Sequence, residues 1–302
     1  MYERTGGTDG SSPDAGADAD GNRAGDDSGD TARRAYRVAY DGRGYHGFQR
    51  QPDVPTVEDA LLDALRALGV CGAEPPPGWA AAGRTDAGVS ALAQTVAFDA
   101  PAWLSPAAFA SELPQDVRVW ADAPAPPGFH ATHDATAREY TYHLHAPAEG
   151  VDDSRARGTL GALTGEHDFR NLTPDEEGTV RDLAGSLERE GEFLVVRLRA
   201  GGFPRQLVRR VVSLVAASAR RGLPEGRVER VLSAEPLSGP EGVAPAPAEP
   251  LVLTDVAYPL EFAADGRAAA DAREWFRERR AEAATRARVA GHVASALDSE
   301  DI

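Results

Sequence analysis

Two hydrophobic rhythms alternate along this chain, and they limit what it can fold into. Tyr36, Val38 and Tyr40 recur at every second position, as do Tyr140, Tyr142 and Leu144. That spacing is the signature of strands with one buried face. Val57, Leu61, Leu65 and Leu68 instead recur at helical spacing, behind Thr56 as N-cap with Asp59 three residues on, and Gly69 closes the run. Val96 with Phe98 and Val117 with Val119 mark further strands, and Ser105-Pro106 opens a short helix. The second half is predicted to hold a strand over 138–145, a helix near 155–163, and strands near 179–188 and 193–200. A long helix from Pro204 to Gly222 follows, burying Leu207, Val208, Val211, Val212 and Val215. A short helix near 226–233, a strand at 251–258 and a helix from 265 to about 297 with Trp275 and Phe276 complete the pattern. No segment repeats at a fixed period. A few strands with about two helices in each half predict an α+β fold, with helices on one side of the sheet.

Residues 1–33 are rich in Gly, Asp, Ser and Ala and lack large apolar side chains, so a disordered acidic tail is expected there. The run Ala123-Pro-Ala-Pro-Pro-Gly128 reads as a connector. It divides an N-terminal half at 34–127 from a C-terminal half at 128–262, with a helical or mobile extension over 263–302. One cysteine, Cys71, excludes a disulfide framework and a cysteine-based zinc site. No apolar run is long enough to span a membrane, and the acidic start is unlike a signal peptide. A cytoplasmic protein is therefore expected, without membrane partners. The 302 residues carry a net charge of -16, and all 32 basic residues are arginine. That composition predicts halophilic adaptation.

The chemistry concentrates in Gly83-Arg-Thr-Asp-Ala-Gly-Val-Ser-Ala91. Asp86 lies between two glycines and beside the Arg84 guanidinium, on a backbone that can turn sharply and let a ligand approach. Such a carboxylate can serve as nucleophile or base; an exposed turn with an ion pair accounts for the same residues. Three other patterns carry less. Gly42-x-Gly44-x-x-Gly47 follows a strand, yet Pro52 and Pro55 intervene before the next helix, unlike a dinucleotide loop. His130, His133, His143 and His145 cluster in sequence without a helical i, i+4 pair, so a metal-dependent hydrolase is kept as an alternative. Arg205 and Arg209 stand four apart on the expected long helix, placed to reach a carboxylate such as Asp86.

Taken together these segments resemble the TruA-type tRNA pseudouridine synthases over about residues 34–262. The most specific piece is Ala82-Gly-Arg-Thr-Asp-Ala-Gly-Val89. Around it, in the family's order, fall Tyr40-Asp-Gly, Tyr45-His-Gly-Phe-Gln-Arg-Gln51, Phe129-His-Ala, Arg138-Glu-Tyr140-Thr-Tyr, Gly165-Glu-His-Asp-Phe169, Leu207-Val-Arg209 and Leu253-Thr-Asp-Val-Ala-Tyr-Pro259. Glu112 before Leu113-Pro114, and Ser90 after the octapeptide, depart from it. The resemblance implies two α/β halves with antiparallel-rich sheets joined across a central catalytic cleft, helices on the outer side, and a homodimer. It implies isomerisation of uridine to pseudouridine at positions 38, 39 and 40 of the tRNA anticodon stem-loop, without cofactor or metal. Asp86 then matches the essential aspartate, Tyr140 the active-site tyrosine and Arg209 the aspartate's basic partner. Arg84 matches the arginine that displaces the target nucleotide, while Arg43, Arg50, Arg138 and Arg205 are candidate phosphate contacts. A non-catalytic RNA-binding protein is the remaining alternative.

Overall fold

The computed structural model describes residues 31–298. In chain order the elements are β1 (Thr31–Tyr40), α1 (Val57–Ala67), β2 (Ala80–Ala81), β3 (Ser90–Pro101), α2 (Pro106–Ala110), β4 (Val117–Pro124), β5 (Ala137–His145), α3 (Asp153–Leu163), β6 (Gly165–Asp168), β7 (Val180–Glu190), β8 (Phe193–Ala200), α4 (Leu207–Arg221), α5 (Arg227–Val231), β9 (Leu251–Ala257), β10 (Ala263–Ala264) and α6 (Gly266–Leu297). The strands form one sheet in the order β10-β4-β1-β3-β9-β5-β8-β7-β6, with β2 alongside β3. β3 and β9 run parallel, over Ser90–Ala91 against Val252–Leu253, and the other pairings are antiparallel. This two-residue seam joins two antiparallel wings of an α+β fold.

Each wing has its own core. Tyr36, Val38 and Tyr40 meet Val57, Leu61 and Leu65 of α1 and Phe109 of α2. Leu144 and Leu198 meet Leu160 of α3 and the α4 row Leu207, Val211 and Val215. Each such fully buried side chain contributes about 2 kcal/mol. Tyr140 packs against both clusters and so stands at the boundary of the two wings. The helix signals acted as their chemistry requires. The Thr56 hydroxyl accepts from the Asp59 amide, Ser105 accepts from the Ala108 amide, and Gly222 at φ 73° ends α4.

Four expectations are corrected. Residues 1–30 of the expected tail lie outside the described residues, but 31–33 already pair with β3 as the start of β1. Ala123 and Pro124 are the end of β4, so the connector is shorter than its proline content implied. α4 begins at Leu207 rather than Pro204, because Gln206 sits in the left-handed region at φ 61° and interrupts the backbone. Arg205 is therefore outside the helix, and it does not share a helical face with Arg209. β2, β6 and β10 were not anticipated; all three are short, and β6 is the polar tetrapeptide Gly165-Glu-His-Asp168. After β9 the chain returns across the first wing, where Tyr258, Leu260 and Phe262 pack on Ala35, Ala97 and Phe129. Beneath them the buried Arg37 guanidinium lies 4.1 Å from the Phe262 ring centre and donates to the Ala93 carbonyl at 3.1 Å.

Near the seam the backbone of Gly42 presses on that of Val89. A Cβ at Gly42 would stand 2.0 Å from the Val89 carbonyl oxygen, and the Gly42 amide donates to Ser90 Oγ at 3.1 Å. Gly42→Ala is expected to destabilise the fold by about 2–3 kcal/mol. A thermal melt checks it, and an unchanged Tm would contradict this packing.

Candidate active site

The segment 82–89 links β2 to β3, and because Ala80 and Ala81 pair with Ala97 and Val96 the start of the loop is pinned against the middle of β3. The Ala82 amide donates to the Thr95 carbonyl at 2.8 Å. Gln94, fully buried, donates from Nε2 to the Gly83 carbonyl at 2.8 Å and accepts from the Thr95 amide at 3.0 Å. The Thr85 hydroxyl meets the Tyr40 hydroxyl at 2.7 Å, and the Thr85 carbonyl accepts from the Phe48 amide at 3.1 Å. Gly47, at φ 102°, approaches that same carbonyl so closely that a Cβ would stand 2.8 Å away. Gly88 turns the chain at φ 84°, with its amide 3.3 Å from the Tyr45 carbonyl. Thr85 is thereby drawn inward while Arg84 faces solvent and Asp86 is partly buried.

Asp86 is met from the other wing. Arg209, on the first turn of α4, donates from Nη1 to Asp86 Oδ2 at 2.8 Å and from Nε to the Ala246 carbonyl at 2.6 Å. Those two bonds fix the plane of the guanidinium, as a lysine ammonium could not. Tyr140 approaches from β5, its ring edge-on to Phe203 with centroids 5.1 Å apart. Burial pushes the Tyr140 phenol up to about 12; the Arg138 charge opposes that rise and the Asp86 charge adds to it. Asp86, Arg84, Tyr140, Phe203, Arg205 and Arg209 line one cavity of about 860 Å³ between the wings. That volume suits a nucleotide-sized ligand.

The remaining candidates are spread more widely. Arg205 reaches the cavity rim, where its backbone N–H and its Nε both donate to Asp175, at 2.7 and 2.5 Å. Arg43 and Arg50 do not line this cavity; they pair with Asp41 and Asp59, at 2.5 and 2.7 Å. Arg138 is also outside the lining and binds protein backbone. Its Nη1 donates to Gly201 and its Nη2 to Ala82 and Thr132, at 2.7, 2.7 and 2.8 Å. It thus ties the start of the Asp86 loop to the far wing. The signal available in sequence was only a positive charge, which serves carbonyls as readily as phosphates. Phe203 and Asp175 were also missed, as side chains that join the site only through tertiary folding.

The histidines separate into two pairs, and the His130 and His133 rings stay 4.2 Å apart. His130 lines the Asp86 cavity, whereas His143 and His145 line a second one. Among the described residues no three of His, Cys, Asp and Glu converge as metal ligands. Gly42–Gly44 forms a single 3-10 turn and no helix begins at Gly47, so the glycine pattern is a packing device rather than a dinucleotide loop.

The sequence model of the tRNA pseudouridine synthase family matches residues 160–259. The chain is 63% identical to tRNA pseudouridine synthase A of Haloarcula marismortui over 274 residues, covering 87% of this chain and 100% of that relative. It is 60% identical to the protein of the same name in Halobacterium salinarum over 264 residues, 87% of this chain and 99% of the relative. A third relative of that name, from Methanothrix thermoacetophila, is 40% identical over 229 residues, 74% of this chain and 82% of the relative.

The half-buried phenol of Tyr140 carries its own test. In an ultraviolet titration, the difference between the wild type and Tyr140→Phe is expected to show phenolate only near pH 12. The raised value keeps the neutral form through the whole neutral range. Ionisation near pH 10, the ordinary phenol value, would show instead that water reaches the ring (about 10 for a solvated tyrosine).

Proposed function

The chain belongs to the tRNA pseudouridine synthases, an isomerase family, and from that premise we propose that it converts uridine to pseudouridine at positions 38, 39 and 40 of the anticodon stem-loop, with Asp86 as the catalytic carboxylate. The reaction breaks the bond from N1 of uracil to the ribose C1′, turns the base, joins C5 to C1′ and moves the C5 proton to N1. Nothing is gained or lost overall, so no redox partner or co-substrate is required.

The observation that carries this reading is the Asp86–Arg209 pair at 2.8 Å, set in a cavity that also contains Tyr140. Arg209 occupies Oδ2, which leaves Oδ1 to act on the substrate by covalent attack or by facing a carbohydrate cation. Tyr140, a neutral phenol, stacks on the base and relays the C5 proton. Arg84, exposed at the mouth, takes the place of the extruded nucleotide and lowers the cost of unstacking. Arg205, held by Asp175 at the rim, contacts a phosphate. A protein that merely held RNA would gain nothing from an acid lining its cleft, since a carboxylate repels phosphate. The working unit in this reading is a cytoplasmic homodimer acting on tRNA.

Asp86→Asn is expected to bind an unmodified tRNA transcript and form no pseudouridine, a loss of at least about 1,000-fold in kcat. Product mapping and a binding isotherm read the two properties separately. Retained turnover would end the assignment of Asp86. The charge of -16 without lysine also predicts a Tm that rises from low salt into molar potassium chloride, as screening relieves self-repulsion. A maximum Tm at low salt would contradict halophilic adaptation.

A further inference from the structure

α6 lies outside the 160–259 stretch matched by the family model, and its charge is opposite to that of the chain. Its 32 residues carry seven arginines against four acidic residues, a net of +3 in a chain of -16. At 1.5 Å per residue it is about 48 Å long. The first turns are anchored by Ala268 and Ala272, both buried, and the helix packs on β4 and α2. From 281 to 297 every residue is exposed.

Where the helix leaves the body, Phe276, Arg279 and Arg280 close over a cavity of about 870 Å³. Arg43 and Arg220 enter it from the loop after β1 and from the end of α4, so four guanidinium groups line it against Asp41 and Glu249. Three of these arginines are partly engaged, Arg43 with Asp41, Arg220 with the His145 carbonyl at 3.1 Å and Arg279 with Glu282 at 2.9 Å, and Arg279 Nε is buried without a hydrogen-bond partner. The cavity adjoins the catalytic one through adjacent residues. Val89 lines the catalytic cavity and Ser90 this one; Leu251 lines the first and Pro250 the second. The two cavities thus lie one residue apart along both segments.

We propose that α6 and the arginine-lined cavity at its root form a binding arm for the phosphodiester backbone of the substrate tRNA, outside the nucleotide that enters the catalytic cavity. This rests on the tRNA-modifying reading above. Charge complementarity selects the occupant: in an acidic protein α6 carries a net positive charge, most of it near the root where Arg279 and Arg280 meet Arg220 of α4, and the tRNA backbone is a dense polyanion. The competing occupant is a second copy of the chain seated on the exposed Val289, Val293 and Leu297.

The test uses the full chain and an unmodified full-length tRNA transcript, with binding measured across a potassium chloride series. The triple variant Arg220→Gln, Arg279→Gln, Arg280→Gln is expected to raise Kd about tenfold or more and to lower the slope of log K against log salt by about 2. Glu282→Gln, which releases Arg279, is expected to tighten binding about two- to threefold, a gain that misfolding cannot mimic. Near-ultraviolet circular dichroism checks that each variant is folded, and should the triple variant misfold, Glu282→Gln decides. A folded triple variant with unchanged Kd and slope overturns the proposal. So does a triple variant that keeps RNA affinity while falling from dimer to monomer in sedimentation, which assigns α6 to the second copy. Failure of the underlying reading is seen separately, as absence of pseudouridine from tRNA treated with the wild type.

Discussion

The ion pair between Asp86 and Arg209 crosses the line along which the molecule is divided. Among the described residues, the two wings share only Ser90–Ala91 and Val252–Leu253 as paired strand backbone at their seam. Four residues of parallel ladder cannot fix the width of a cleft. Side chains that reach across must do so, and Arg209 reaches from α4 in one wing to the loop of the other. The pair is not mainly a source of stability: Asp86 is 36% exposed and Arg209 16%, and water screens much of their attraction. Its effect is positional. The bond from Arg209 to the Ala246 carbonyl fixes the guanidinium, and the guanidinium fixes the carboxylate. Arg138 does the same for the backbone, linking Ala82 in one wing to Gly201 in the other.

The composition of the loop follows from that demand. Thr85 has to point inward to reach Tyr40, so its neighbours Arg84 and Asp86 are turned toward the cavity. Gly42 and Gly47 let two other backbone segments approach within reach of the loop, where any side chain would collide. Gln94, itself fully buried, satisfies the Gly83 carbonyl from beneath the cavity. A buried network of this kind holds its shape only when each member is paired. The glycines that resembled a dinucleotide fingerprint thus serve packing around a carboxylate.

Much of this was legible in the residues. Period-two and helical spacing located β1, α1, β5 and the buried row of α4, because those elements bury one face and so repeat at their own geometry, and the Ser105-Pro106 cap located α2. Asp86, Tyr140 and Arg209 were named from the sequence, and the structure brings all three to one cavity. What stayed hidden has physical reasons. β6 is four polar residues whose pairing comes from its neighbour β7, and such a strand has no hydrophobic rhythm. Pro204 is a good first helical residue, yet the left-handed Gln206 delays the helix, and nothing in the side chain of glutamine announces that. The arginines were the hardest to rank, since a guanidinium bound to a carbonyl, a carboxylate or a phosphate is the same letter. Arg43 and Arg50 had acidic neighbours within reach in space, and Arg138 had carbonyls.

The absence of lysine ties the electrostatics together. In about 1 M salt the Debye length is only about 3 Å, so charges act at contact or not at all. A lysine ammonium is a hydrated point charge whose attraction is mostly lost under such screening. A guanidinium retains directed, paired hydrogen bonds and a flat face for stacking. The structure uses that difference repeatedly: Arg209 on a carboxylate and a carbonyl, Arg138 on three carbonyls, Arg37 against an aromatic ring. An acidic surface then carries little penalty for binding RNA, because its repulsion is screened while arginine contacts survive. The net charge of -16 and a polyanionic substrate are compatible for that reason, and the positive groups matter by where they stand rather than by how many there are.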